Sequence, residues 1–242
     1  MSKWLMTVLF LAGSAFLTRL IPFSSFFRNL DTMIHEFGHA AVTLLTSGRV
    51  LRIELNPDHS GVTYSTLSTT WSVFLVALSG YVIASLFSLL MFYLYHKRNY
   101  KLGLVLMTLI AIAMLALFVH RGFGVLWLTG FIALNAIVYF LGETATKYYY
   151  LALAFLTLEE SVVGPLFLIV HAIASPGEAG DAANLARLTL VPPLVWALIF
   201  SLFSLWCAKE ALGLFLGRRR LRARGRTPEP RYPESRYYDG RR

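Results

Sequence analysis

The chain has 242 residues, of which 57% are hydrophobic and only 14% charged. An ordinary soluble domain carries roughly a quarter charged residues, so a soluble globule of average surface is excluded. The net charge of +9 is concentrated, because residues 218–242 hold ten arginines against three acids and carry +7. This marks a basic tail that orients a membrane protein, not a nucleic-acid-binding domain.

Met1-Ser2-Lys3 followed by Trp4 to Leu17 has the shape of a secretory signal or a first membrane helix. The return to apolar sequence after Arg19 favours the helix. A second helix is predicted from Asp31, as N-cap, to about Ser47, where Gly48 stops it. It is short for a span and carries Asp31, His35, Glu36 and His39, so other helices must shield it or it must face water. Residues 49–66 alternate around the turn signal Asn56-Pro57-Asp58-His59-Ser60-Gly61 and predict a β-hairpin.

Apolar helices follow at about 71–95, 102–119 and 122–141, then one at about 148–174 that Glu159-Glu160 interrupts. A small-residue loop, Ser175 to Asn184, leads to a last apolar helix over about 190–215. Together these predict an all-α polytopic membrane protein of about six or seven transmembrane helices over residues 1–217, with a short hairpin after the second helix. Residues 218–242 lack apolar periodicity and are expected to be a disordered basic tail, able to bind anionic lipid. Placing that tail, Lys147, Lys97-Arg98-Lys101 and Arg28 in the cytoplasm satisfies the positive-inside bias and puts residues 48–70 outside. Four crossings separate the second helix from the Ser175–Asn184 loop, so both open toward the same membrane face.

His35-Glu36-Phe37-Gly38-His39 is an H-E-x-x-H sequence on a predicted helix, and its i, i+4 spacing brings both imidazoles within reach of one metal. A tetrahedral Zn²⁺ there takes two histidines and a third protein ligand, leaving a position for water whose proton Glu36 accepts. The alternative is an amphipathic helix whose histidines only satisfy hydrogen bonds, at the expense of placing three ionisable groups at membrane depth.

For the third ligand, Asp31, Asp58 and Asp239 are explained by a cap, a turn and the tail, which leaves Asp181. On the residues alone, Asp181 is equally a metal ligand and an N-cap for Ala182 to Leu188. Glu159 and Glu160 are rival ligands or groups beside a water path, and adjacent positions on a helix diverge, so at most one would reach a common metal. His59 in the hairpin turn and Asn184 beyond Asp181 are candidate contacts to the metal's surroundings or to substrate. The single cysteine, Cys207, excludes an intramolecular disulfide framework and a cysteine-built metal site.

These features resemble the site-2 protease family of intramembrane zinc metalloproteases, especially small bacterial members without appended soluble domains. The resemblance extends from about Asp31 to Trp206 and rests on the His35–His39 motif, the hairpin after it and a later aspartate. In that family the later motif reads N-x-x-P-x-x-x-x-D-G with the aspartate as third zinc ligand, and Pro176 and Asp181 stand at the matching spacing. Ile173 and Ala182 stand where the motif has asparagine and glycine. The resemblance implies one Zn²⁺ held by His35, His39 and Asp181, with Glu36 as catalytic base and a membrane protein as substrate, in a bacterial cell membrane. Two rivals follow: a protease-like scaffold that binds another membrane protein, favoured by Ile173 and Ala182, and a transporter using Glu159-Glu160.

Overall fold

The computed structural model describes residues 24–224. Within them the order is α1 (Ser24–Leu45), β1 (Arg49–Leu55), β2 (Gly61–Thr66), α2 (Thr70–His96), α3 (Tyr100–Leu117), α4 (Phe123–Phe140), α5 (Glu143–Ala174), a 3₁₀ turn (Pro176–Glu178), α6 (Gly180–Thr189) and α7 (Pro193–Arg224). Five of these helices are long and apolar enough to cross a bilayer: α2, α3, α4, α5 and residues Pro193–Gly217 of α7. The expected first helix, from Trp4, and the rest of the basic tail, 225–242, lie outside the described residues.

The spans are hydrophobic all round, and outward-facing side chains such as Leu126 and Phe140 are 76% and 84% exposed. Such surfaces need lipid as their solvent. The chain is an integral membrane protein of mainly helical architecture with one small antiparallel hairpin.

Most of the protein shares one core, in which Leu30, Met33 and Ile34 of α1 pack with Met91 and Phe92 of α2, Met107 of α3, Phe131 of α4 and Tyr150 of α5. A second cluster seats α6, whose Ala182, Ala183 and Leu185 are buried with Ala77 of α2, Leu168 of α5 and Ala197 and Phe200 of α7. The alanines let the short helix lie close against three long ones.

Three sequence expectations are corrected. Asp31 does not cap α1: helix is already formed at Ser24, and Asp31 lies half-buried within it, with its Oδ1 shielded from solvent. The earlier turn is anchored by Trp127, whose indole N–H donates to the Phe26 carbonyl at 2.6 Å. Glu159-Glu160 does not interrupt α5, which is continuous because Arg28 of α1 compensates Glu160 within the bundle. The Ser175–Asn184 segment is a 3₁₀ turn and the start of α6, so Asp181 lies in a first helical turn whose N-cap is Ala179.

The hairpin forms where expected, with Ile53 opposite Thr63 and Leu55 opposite Gly61. An irregularity between Val50 and Arg52 shifts the pleat, so that Val50, Ile53 and Leu55 all reach the core. At the turn Asn56 N–H donates to Ser60 O at 2.9 Å. The Asp58 carboxylate accepts from both the amide and the hydroxyl of Ser60, which hold it below the usual carboxylate range. On the other side of β1, Ile53 N–H donates to Phe118 O at 2.9 Å, which ties that edge to the α3–α4 connection. The outer edge of β2 pairs with no strand among the described residues.

Candidate metal centre

The i, i+4 spacing on α1 brings His35 and His39 side by side, with Nε2 atoms 3.0 Å apart and rings edge to face. Asp181, at the start of α6, approaches from the opposite side, its Oδ2 lying 3.3 Å from each Nε2. Bonds of about 2.0–2.1 Å to a tetrahedral ion separate neighbouring donor atoms by roughly 3.3 Å. The observed triangle therefore has the dimensions of one face of a zinc tetrahedron. Asp181 Oδ2 is buried with no hydrogen-bond partner, which is costly unless a cation or a proton satisfies it. Among the described residues, this is the only group of three or more potential ligands whose donor atoms converge. Donor chemistry, spacing and the orphaned oxygen all fit Zn²⁺.

The surroundings fix the donors. His39 Nδ1 lies 2.8 Å from the Val76 carbonyl, an acceptor, so Nδ1 carries the proton and Nε2 turns its lone pair to the centre. His35 packs edge-on against Tyr81 with ring centroids 4.6 Å apart. Gly80 makes room for both rings: a Cβ there would lie 2.5 Å from His35 Cε1 and Nε2 and 2.7 Å from His39 Cε1.

Glu36 is buried and points to the hairpin, where its Oε2 accepts from Thr63 Oγ1 at 2.6 Å. Gly61 leaves space for the same side chain, since a Cβ there would meet Glu36 Cγ at 2.7 Å and Oε1 at 2.8 Å. The hairpin thus positions the carboxylate of the motif directly. A cavity of about 330 Å³ opens beside the centre, bounded by His39 and Asp181, by Thr63 and Ser65 of β2, and by Asn184 and Arg187 of α6.

The remaining candidates separate from this group. Asn184 borders the cavity. Glu160 forms an ion pair with Arg28 through Nε, with Nη2 3.4 Å from its second oxygen, and Glu159 is buried in α5. Neither belongs to the converging donors. His59 does not border the cavity. Its carbonyl accepts from Thr32 Oγ1 at 2.7 Å, and its Nδ1 is buried without a partner. Burial and the Arg28 guanidinium lower its pKa, against the opposing pull of Glu160 and Asp58.

Sequence reasoning missed Thr63, Gly61, Gly80 and Tyr81 as parts of the site. An isolated glycine in the apolar helix was the available signal for Gly80, because such a glycine marks a close approach. Thr63 gave no signal, since a threonine in a strand is ordinary.

Among the described residues, five spans around a histidine–glutamate–histidine helix, closed by an aspartate from a later helix, make a polytopic membrane protein with a candidate metal centre. The profile of the Peptidase M50B-like family matches residues 5–210. The chain belongs to that family, which bears out the resemblance to site-2 proteases. No curated protein and no solved structure gives a significant match to the chain.

Proposed function

We propose that this protein is a zinc endopeptidase that hydrolyses a peptide bond in or next to a membrane-spanning segment of another protein. The observation that supports this best is the closed triangle of His35 Nε2, His39 Nε2 and Asp181 Oδ2, with the Glu36 carboxylate held beside it by Thr63. Zn²⁺ held by these three residues would supply Lewis-acid polarisation of the scissile carbonyl and acidify a water molecule. Glu36 takes the proton of the attacking water and returns it to the leaving amine. Thr63 orients one carboxylate oxygen for that exchange, and the Asn184 amide at the cavity is placed to bond the substrate backbone. A helical substrate presents no free carbonyl, so it must unwind locally. The unpaired outer edge of β2 can then hold the extended stretch by strand addition.

The same reading gives the lipid bilayer as environment, anionic lipid as a contact of the basic tail, and a cytoplasmic tail with the hairpin on the opposite face. The parity of the helices supports it, since α2 to α5 and α7 make five crossings between the hairpin and the tail.

The test is zinc content and cleavage in detergent-purified protein. Glu36→Gln should keep about one zinc per chain and abolish cleavage of a membrane reporter. Asp181→Ala should lose the zinc, and a Glu159→Ala, Glu160→Ala double variant should retain it. Persistent cleavage by Glu36→Gln would sink the assigned chemistry.

A second reading, a non-proteolytic scaffold, has one specific observation in its favour. Ile173, at the motif's asparagine position, is 67% exposed and supplies no polar group. Ala182, at the glycine position, is accommodated by burial of its methyl in the α6 cluster. Zinc bound at one per chain with no cleavage of any membrane reporter would favour the scaffold.

A further inference from the structure

The cavity beside the metal centre has two long walls that run away from it together. On α6, Asp181, Asn184 and Arg187 recur every three residues, so they follow one another along the face of the helix that borders the cavity. On β2, Thr63 and Ser65 are two apart and point to the same side of the strand, and Leu67 continues that wall. Thr63 touches Glu36, so the strand starts at the reacting end. The floor between them is apolar, with Val73, Val76 and Ala77 of α2.

Among the described residues, Arg187 is the one cationic side chain on this cavity apart from the histidine at the centre. Its Nη2 donates to the Gly177 carbonyl at 3.1 Å. That bond anchors the guanidinium against the 3₁₀ turn and, among the described residues, leaves its other donors unused. Among the described residues Arg187 makes no ion pair. A guanidinium fixed by one backbone bond, with free N–H groups on a partly apolar cavity, is a preorganised receptor for a carboxylate.

We propose that Arg187 is a specificity-determining residue and that the protein selects peptide segments with an acidic side chain close to the scissile bond. The distance follows from helix and strand geometry. The guanidinium is held at Gly177, four residues before Asp181 through the 3₁₀ turn and the start of α6, which at about 2 Å per residue is about 8 Å, and an extended peptide advances by about 3.3 Å per residue. The carboxylate therefore falls two or three residues from the bond whose carbonyl lies at the metal. The substrate class is an unwound, mainly apolar stretch carrying an aspartate or glutamate at that position. This stands on the zinc-peptidase reading above.

The probes are short peptides capped with a zinc-binding hydroxamate and carrying Asp, Asn or Lys at the second or third residue from the cap. They are titrated against zinc-loaded, full-length protein in micelles by displacement of a fluorescent hydroxamate. The unmodified protein is expected to bind one Asp probe about five- to tenfold more tightly than its Asn isostere, as a partly exposed charge-assisted contact allows. Arg187→Gln should erase that difference, and Arg187→Glu should shift the preference to the Lys probe, with zinc content unchanged in both. Equal binding of the Asp and Asn probes to the unmodified protein overturns the assignment while leaving the zinc centre standing. A preference for Asp that survives in Arg187→Gln overturns it as well. Failure of every probe to bind zinc-loaded protein overturns the peptidase reading and the specificity with it.

Discussion

Gly80 is the position where the metal centre is most exposed to a single added atom. A methyl group there would sit 2.5 Å from His35 Cε1 and Nε2 and 2.7 Å from His39 Cε1, whereas non-bonded carbons rest at about 3.5–4.0 Å. The rings would have to withdraw by roughly 1 Å, while metal–ligand distances are matched to about 0.2 Å. Neither ring is free to move, because His39 is bound to the Val76 carbonyl and His35 lies against Tyr81. Gly80→Ala should therefore weaken zinc binding by about 10- to 100-fold, the usual size of a disturbed ligand support, or roughly 1.4–2.8 kcal/mol. Overpacking should also cost about 1–3 kcal/mol of stability. The assay is competition for zinc against a chelator of known affinity, with circular dichroism to verify retained helix. Gly213→Ala is the control: a Cβ there meets nothing within 4 Å, so zinc binding should be unchanged and stability equal or higher. Superimposable zinc-competition curves for Gly80→Ala and the unmodified protein would refute the argument that this glycine makes room for the centre.

Three further predictions concern the groups around the centre. Thr63→Val removes the hydroxyl that holds Glu36 and should lower kcat about tenfold with little change in KM or zinc content, read with a cleaved reporter protein. Arg28→Met leaves Glu160 without its partner and close to the half-buried Asp31. It should destabilise the fold by about 2–3 kcal/mol, seen as a lower Tm, and Glu160→Gln in the same chain should recover part of the loss. His59 has a folded pKa below its ordinary value because burial and Arg28 oppose its charging. The unfolded chain binds this proton first, so stability from His59 is present above about pH 6.5 and is lost as pH falls below it. His59→Asn suits the positive φ of 68° at this position and should flatten the fall of Tm with acidification. An unchanged slope would show that His59 is not the group responsible.

Features that depend on composition and local spacing were legible in the chain before it folded. Charge-free apolar runs located the spans from residue 70 onward because a bilayer admits only helices whose backbone bonds are internal. The i, i+4 pair fixed which face of α1 holds both imidazoles, and Asn56 to Gly61 placed the hairpin. Counting crossings put Asp181 on the same side as His35 and His39, since parity survives errors of a few residues at each helix end.

What escaped was set by partners distant in sequence. Asp31 looked like a cap because its short polar side chain suits one, but Trp127 and Glu160, about 100 and 130 residues further on, stabilise the turn before it. Glu159-Glu160 looked like a break because two acids in an apolar run are costly alone, and only Arg28 from α1 removes that cost for Glu160. Whether Asp181 caps α6 or faces the two histidines rested on the packing of the alanines of α6 among α2, α5 and α7, which turns its Oδ2 to both imidazoles. Thr63 and Gly80 act through contacts of 2.6 Å and through an absent side chain. Residue type and spacing report which groups a chain carries, but close approach between its elements is a property of the packed bundle.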